Sequence, residues 1–471
     1  MKERIYGEFQ RKCAMSMYKN LSIGLGEMTF SKDFVNDRRG DLYPIIEKSE
    51  DCCEAMADNR YTVTSGTVRR HFCQFFPFGS YEAVAQGTFG FSFVLPDVQA
   101  TLWWQDGQLT LDDGQTVALA DTGEGLIVSC RPGFFDVYVR RNGLPTHTHT
   151  FACPSFADSN AYAAFSRGYV CLCAKGETVV ERVSGYIDNG VSIADIRPVK
   201  YENGDVMMER GKVYFTASIR IQAGNYQGIF TWVPATSEFA LVGVVFFDDG
   251  DGYWRGYIAS TLVYHRAEEC WLVWVSSFEH AHILARGKFY GDPRFGINVI
   301  DVTRMEPDEN PTDIRTFAGW HRDEDPDLIY QEQEGRWLLA ICRLDPDTHR
   351  YVYVFFESQD PLDGFTFVGK AFPGDETGGC FVRMDGELYF ACGNDFNATS
   401  DYRLYSKQGM TQARFIFPDG GFRGWGGVMP LHLGSRHRCF WLTFDRHNGS
   451  DYNWSYGNLY VFELLEQRHE D

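Results

Sequence analysis

The chain has 471 residues, a formal net charge of −20 at pH 7 and an isoelectric point near 5.0. A surface this acidic repels phosphate groups, which argues against nucleic acid and against anionic membranes as partners. No segment approaches the about 20 consecutive apolar residues that span a bilayer. Aromatic residues make up 16% of the chain and glycines number 47, which favours many short strands joined by tight turns.

The N-terminal residues carry positive charge but no apolar stretch of the kind that a secretory signal needs. The 13 cysteines are scattered, and neither Cys52-Cys53 nor Cys171-Leu172-Cys173 has the spacing of a zinc knuckle. We therefore expect a cytoplasmic protein whose thiols are reduced and are mostly small apolar core residues.

Short strands with regular turns are predicted in residues 1–190, mostly after Tyr61. The stretch 107–114 alternates and ends in Asp113-Gly114, and the strand 134–140 is followed by Asn142-Gly143, a two-residue hairpin turn. Such a pattern indicates a β-sandwich. The order of strands is similar to that of the concanavalin-like jelly rolls that accompany many carbohydrate enzymes.

Residues 191–471 repeat, and a repeat of this kind predicts the architecture directly. Five strongly hydrophobic strands recur at intervals of about 50 to 65 residues, the length of a four-stranded propeller blade with its loops. They are 213–217, 271–275, 337–341, 388–392 and 440–444. The sequence therefore predicts an all-β protein, with an N-terminal sandwich followed by a five-bladed β-propeller.

In a propeller, the first strand of each blade lines the central channel, so the residues that open these strands converge at one end of the axis. The predicted openings carry carboxylates, arginines and tryptophans. In chain order these residues are Asp195, Arg197, Trp254, Arg255, Trp320, Asp325, Asp327, Glu376, Arg423 and Trp425.

Acidic residues that open successive blades resemble the pattern of the five-bladed propeller glycoside hydrolases, the arabinanases, xylosidases and invertase-like fructosidases. In that group an Asp opens the first blade, an Asp lies on a middle blade and a Glu acid follows on a later one. Asp195 matches the first position, and Glu376 is similar to the acid. Arg322-Asp323 with Asp325-Pro326 looks like the Arg-Asp-Pro element of the invertase-like group. The resemblance covers the propeller and points to no single family.

This resemblance implies hydrolysis of a glycosidic bond in a soluble oligosaccharide, for which no cofactor is expected. Such cleavage needs an acid to protonate the leaving oxygen and a carboxylate to attack the anomeric carbon or activate water. We assign Asp195 as base or nucleophile, Glu376 as acid and Asp325 as a third catalytic carboxylate. The other seven residues are predicted to bind substrate, the arginines by orienting carboxylates or an acidic sugar and the tryptophans by stacking on sugar rings.

Two alternatives stay open at this point. His280 and His282 lie on one strand face and form a possible metal pair, which would suit a metal-dependent carbohydrate esterase, deacetylase or lyase. The propeller would otherwise be a glycan-binding module without catalysis. The sugar, the stereochemical outcome and the oligomeric state are not determined by the sequence.

Overall fold

The structure is a computed structural model that describes residues 30–32, 45–57, 60–187, 192–221, 224–277, 283–305, 323–345, 348–370, 376–384, 386–394, 401–406, 409–414, 426–433, 436–444 and 459–464. They fall into two compact units. The N-terminal unit takes its described residues from Ser22–Asn189 together with Gly252–Trp254. The propeller unit takes its described residues from Gly190–Asp251 and Arg255–Asp471. Both units are built almost entirely from β-strands, which confirms the predicted all-β class.

The described residues of the N-terminal unit form thirteen strands in one hydrogen-bonded network. They are β1 Phe30–Lys32, β2 Ile45–Lys48, β3 Glu54–Ala57, β4 Arg60–Val63, β5 Thr67–Gln74, β6 Ser80–Leu95, β7 Val98–Gln105, β8 Gln108–Leu111, β9 Thr116–Ala118, β10 Leu126–Arg131, β11 Phe134–Arg141, β12 Leu144–Ala152 and β13 Tyr169–Tyr186. A 3₁₀ turn at Pro154–Phe156 and a short helix α1 at Tyr162–Phe165 separate β12 from β13.

The two longest strands, β6 and β13, pair antiparallel along most of their length. The network runs β12-β11-β10-β6-β13-β4-β3, with the remaining strands branching from it. Phe93 of β6 stacks on Phe135 of β11 with ring centroids 4.7 Å apart, and both side chains are buried. The predicted turn at Asn142-Gly143 has positive φ at both residues, as a type I′ hairpin turn requires. The sandwich and its jelly-roll likeness stay predictions.

The propeller unit contains five consecutive sheets, which we call blades one to five. Their strands are β14 Ser192–Pro198, β15 Lys200–Tyr201, β16 Met208–Glu209, β17 Lys212–Ile221, β18 Gly224–Val233, β19 Glu238–Asp248, β20 Ile258–His265, β21 Cys270–Ser277, β22 Ile283–Phe289, β23 Gly296–Asp301, β24 Thr303–Arg304, β25 Asp323–Gln331, β26 Arg336–Asp345, β27 Arg350–Ser358, β28 Thr366–Lys370, β29 Glu376–Met384, β30 Glu387–Asn394, β31 Asp401–Ser406, β32 Gly409–Arg414, β33 Gly427–Leu433, β34 Arg436–Phe444 and β35 Leu459–Leu464.

Each blade begins with an inner strand, which is β14, β20, β25, β29 and β33 in turn. The five hydrophobic segments predicted as second strands lie in β17, β21, β26, β30 and β34, each paired antiparallel with its inner strand. The inner strands contact one another in ring order, and β33 returns to β14. The predicted five-bladed propeller is therefore confirmed.

Apolar side chains fill the spaces between neighbouring blades. Successive residues of a strand point to opposite faces, so Leu262 of β20 packs toward blade one and Val263 toward blade three. Leu328 and Ile329 of β25 divide in the same way between blades two and four. Blades two and three are thus buried on both faces, which explains the continuous hydrophobic runs of their second strands.

Blades one and two also exchange short parallel strands. β15 follows β14 in the chain but pairs with β20 of blade two. β23 lies between β22 and β24 of blade two in the chain, but it pairs with β19 at the outer edge of blade one. Within the described residues, no helix has the length and apolar character needed to cross a membrane.

Candidate functional site

Four of the inner strands carry the same β-bulge. The pairing register with the second strand shifts after Ala194, Ile258, Glu324 and Thr377. The residue that follows each shift has positive φ, with values of 53° at Asp195, 54° at Ala259, 51° at Asp325 and 60° at Gly378. These four residues are therefore structurally equivalent. Bulges of this kind redirect a side chain and are common beside active sites.

Only two of the four equivalent positions carry an ionisable side chain. Asp195 in blade one and Asp325 in blade three are 5% and 3% exposed. Burial raises the pKa of Asp325, and the charge of Asp195 raises it further, against the opposing charge of Arg197. The two aspartates thus interact electrostatically, which agrees with convergence of their strands on one axis.

The carboxylate of Asp325 is held from blades one and four. Nη2 of Arg197 lies 3.3 Å from Oδ1. The hydroxyl of Thr377 and the backbone N–H of Gly378 donate to Oδ2 at 2.9 Å and 3.0 Å. An ion pair from blade one and two hydrogen bonds from blade four therefore fix the orientation of this carboxylate.

Glu376 opens the inner strand of blade four and is completely buried. Its Oε1 accepts hydrogen bonds from Nη1 of Arg403 at 2.6 Å and from the hydroxyl of Tyr405 at 2.7 Å. Burial raises the pKa of Tyr405, and the charge of Glu376 acts in the same direction, so this phenol stays protonated and donates. Thr377, which follows Glu376, bonds to Asp325 and thereby links the two acidic residues through one peptide unit.

Asp327 is the centre of a second polar layer, two residues after the bulge position. Its Oδ2 accepts from Nζ of Lys200 and from the backbone N–H of Phe381, each at 2.5 Å. Its Oδ1 accepts from the hydroxyl of Thr261 at 2.6 Å. Three sheets, those of blades two, three and four, therefore meet at one buried carboxylate, a pattern typical of an internal ion pair. A substrate-binding role for Asp327 stays a prediction.

Arg255 precedes the inner strand of blade two, which begins at Ile258. It donates to Asp251 at 2.7 Å and 2.5 Å and lies 3.5 Å from Asp249. Tyr257, at the position equivalent to Glu376, donates to the same Asp249 at 2.6 Å. Sequence reasoning overlooked Asp249, because this aspartate lies in a turn before the segment taken as the opening of blade two.

Trp254 is grouped by the structure with the N-terminal unit. Its ring stacks on Tyr162 at 5.9 Å and meets Phe165 and Phe76 edge-on at 4.9 Å and 6.1 Å. The sequence placed this tryptophan at an opening of a propeller blade. The difference arises because the turn at 248–252 ends β19 well before β20 begins.

Five of the predicted residues lie outside the described part of the chain. They are Trp320, Arg423 and Trp425, predicted to bind substrate, and His280 and His282, the alternative metal pair. Their roles stay predictions.

Two groups of described residues bring three possible metal-ligand atoms within 4.8 Å of one another: His265 with Glu268 and Cys270, and Glu324 with Asp325 and Cys342. Each group already has a protein cation beside it. Nζ of Lys288 lies 2.6 Å from Glu268, and Arg197 lies 3.3 Å from Asp325. A divalent cation would have to displace or tolerate these positive charges, so we assign a metal to neither group.

No protein-family model and no curated protein matches the chain. Among solved structures it is similar to an exo-β-1,3-galactanase from Clostridium thermocellum, with 8% identity and a TM-score of 0.40 over 58% of this chain. The chain covers 63% of the length of that galactanase. A thermostable family-43 glycoside hydrolase has 12% identity and a TM-score of 0.39, over 58% of this chain and 90% of its own. Bacillus subtilis levansucrase has 11% identity and a TM-score of 0.39, over 59% and 85% respectively. The activities named here belong to those proteins.

Proposed function

We propose that this protein hydrolyses a glycosidic bond in a soluble oligosaccharide, using carboxylates at the axis of its propeller. The observation that carries the proposal is the pair of equivalent bulges that place Asp195 and Asp325 on the inner strands of blades one and three. A buried aspartate in the left-handed region is a strained arrangement, and such arrangements concentrate where a side chain acts chemically.

The proposed roles follow from what each carboxyl group contacts. Asp195 is the base or nucleophile, since its described side-chain contact is one ion pair with Arg220 at 3.4 Å, whereas Asp325 has three contacts. Asp325 is held rigidly by Arg197, Thr377 and Gly378, which suits a carboxylate that places negative charge beside the reacting centre.

Glu376 is the proposed general acid. Because its Oε1 accepts from both Arg403 and Tyr405, the proposal puts the transferable proton on Oε2. The proposal also requires substrate binding to weaken the contact with Arg403, because a guanidinium favours a charged partner over a protonated one.

The test compares Glu376→Gln with Asp195→Asn on a substrate found by screening furanosides and pyranosides of both anomers. Glutamine keeps the shape of Glu376 but has no acidic proton to transfer. Since general acid catalysis is worth about 10²–10⁴-fold, kcat should fall by about that factor on a natural-type substrate. The loss should be much smaller on an activated aryl glycoside, whose leaving group needs no protonation. Asp195→Asn should show no such rescue, because the base or nucleophile is needed for both substrates.

Asp301→Asn provides the matched control, because this aspartate is exposed on β23 of the propeller. It should retain wild-type turnover on both substrates, and thermal unfolding should show that all three variants are folded. Full activity of both catalytic variants on a confirmed substrate would overturn the assignment. An equal loss of kcat in both variants on the aryl glycoside would overturn the acid role of Glu376 but not the role of Asp195.

A further inference from the structure

A cavity of about 380 Å³ lies in the propeller unit between blades one and two. Its lining includes Tyr201, at the end of β15, and Trp271, near the beginning of β21. Trp271 pairs with Tyr264 near the end of β20, whereas the bulge at Ala259 lies at the start of that strand. The cavity is therefore at the end of these blades that faces away from the axial carboxylates. Its volume is within the range of about 300–1,000 Å³ that small-molecule sites occupy.

Aromatic rings form much of the wall of this cavity. They belong to Tyr201, Tyr264, Trp271 and Tyr290. Trp271 is buried, and its ring centroid lies 5.1 Å from that of Tyr264, so this part of the wall is fixed by packing. Tyr290 is different, because 73% of it is exposed beside the cavity. A large aromatic side chain this exposed presents an apolar surface to whatever enters the cavity.

The polar part of the wall is pre-organised around Arg294. Its guanidinium donates to Asp292 at 2.8 Å and 2.9 Å and lies 2.7 Å from Glu209. The Arg294 side chain is only 11% exposed, whereas Asp292 and Glu209 are 43% and 44% exposed. The cavity thus offers a guanidinium donor fixed between two carboxylates that still reach solvent.

The charges of the wall restrict the class of ligand. An anion would meet Glu209, Glu269 and Asp292, which outnumber Arg294. A cation would find two of the aromatic rings already covered, since Arg294 lies over Trp271 at 5.5 Å and Arg266 lies over Tyr201 at 5.1 Å. A neutral molecule with an apolar face and several hydroxyl groups meets neither obstacle, because paired carboxylates and a guanidinium supply both acceptors and donors.

We propose that this cavity is a second binding site, which takes a neutral saccharide. One sugar ring stacks on Tyr290, and its hydroxyl groups bond to the Arg294–Asp292 pair. The site performs no chemistry, and its existence does not depend on the proposed hydrolysis at the propeller axis.

The test measures binding of neutral oligosaccharides by calorimetry. The probes are the hexasaccharides of α-1,5-arabinan, β-1,4-xylan, β-1,3-galactan, inulin and amylose, each titrated to tens of millimolar. At least one should bind the wild-type protein saturably. Tyr290→Ala should weaken that binding by about tenfold, the usual value of one aromatic contact, while Tyr290→Phe should keep it within about twofold. Because Tyr290 is exposed, the alanine variant should unfold at the wild-type temperature.

Phe367→Ala is the control, since Phe367 is another exposed aromatic residue, on β28 of blade three. It should leave saccharide affinity unchanged. Hydrolysis of a small aryl glycoside, once found, should be the same in Tyr290→Ala and wild type, which separates this site from the axial one. Absence of binding for every probe, or equal binding by Tyr290→Ala, would overturn the proposal. Saturable binding of spermidine without binding of any saccharide would show instead that the cavity is a cation site.

Discussion

Arg197 of blade one forms an ion pair with the carboxylate of Asp325 in blade three. Its side chain is completely buried, and Nη2 lies 3.3 Å from Oδ1 of Asp325. Burial lowers the pKa of Arg197, but the charges of Asp325 and Asp327 outweigh this effect and the net direction is upward. Arg197 therefore remains a cation near neutral pH, and it opposes protonation of Asp325.

The pH dependence of activity should reveal this interaction. Arg197 lowers the pKa of Asp325, while burial and Asp195 raise it. Removing the positive charge in Arg197→Gln should therefore raise that pKa further. If catalysis needs Asp325 as a carboxylate, the acidic limb of kcat/KM should move to higher pH, by about one unit or more.

Arg197→Lys keeps a charge at this position and should shift the acidic limb less than Arg197→Gln. The measurement is a pH profile of kcat/KM for the three proteins on one substrate. An unchanged acidic limb in a folded Arg197→Gln variant would mean that Asp325 does not control activity.

At the scale of one element, the bulge gives the inner strands of blades one to four a residue with positive φ. Aspartate tolerates the left-handed region better than most residues, and glycine enters it without a steric penalty. Alanine has no such tolerance of the left-handed region, yet Ala259 in blade two has a φ of 54°. Its strain must be compensated by the pairing on both sides of the bulge.

Replacing Ala259 by glycine should relieve this strain. The left-handed region costs an L-residue roughly 1–2 kcal/mol, and the extra freedom of glycine in the unfolded chain returns part of this gain. We expect Ala259→Gly to raise the free energy of unfolding by up to about 1 kcal/mol in a urea titration.

The matched control is Ala217→Gly in β17, a buried alanine in regular strand conformation that pairs with Gly228. This change should lower the free energy of unfolding by about 0.5–1 kcal/mol. A loss of stability in both variants would contradict the strain at Ala259.

The sequence predicted the inner strands better than the bulges within them. Asp195, Asp325 and Glu376 were placed on inner strands because acidic residues recur at the openings, and the structure has all three on β14, β25 and β29. No single residue type marks the bulges, since the equivalent positions are Asp, Ala, Asp and Gly. Arg403 and Tyr405 were not predicted, because they reach Glu376 from β31, the third strand of its blade. Contacts of this kind depend on sheet pairing and leave no local pattern.

At the scale of the whole propeller, the ring closes where blade five meets blade one. A Cβ atom on Gly427 would lie 3.1 Å from the carbonyl oxygen of Ile196 and 3.2 Å from Cδ of Pro198. The edge-on contact of Trp232 with Phe440, at 4.9 Å, joins the same two blades. The backbones approach this closely only because one of them carries no side chain.

Enlarging Gly427 should therefore weaken the whole ring. Gly427→Val places a branched side chain against the backbone of β14, and overpacking of this kind costs about 1–3 kcal/mol. We expect the free energy of unfolding in urea to fall by about that amount. Gly369→Val in β28 is the control, because nothing lies within 4 Å of a Cβ atom at that position. If the free energy of unfolding is the same in both variants, the backbones of blades five and one are not closely packed at Gly427.

The number of blades could be predicted from the sequence because it follows from a recurring hydrophobic strand, which is a local signal. The exchange of strands between blades one and two could not, since β15 and β23 are only two and six residues long. Their place is decided by parallel pairing with strands of the other blade. Only the three-dimensional arrangement shows which edge such short segments join.

Because of the exchanged strands, neither blade one nor blade two can be deleted from the chain without removing a strand from the other. Blades three and four each consist of four consecutive strands of the chain, so a deletion could remove either without cutting another sheet. Removing blade two would also take β23 from the edge of blade one, and removing blade one would take β15 from the inner side of β20. Loss of blade one or blade two alone would therefore also remove a strand of the neighbouring sheet, whereas loss of both together would leave the other sheets whole.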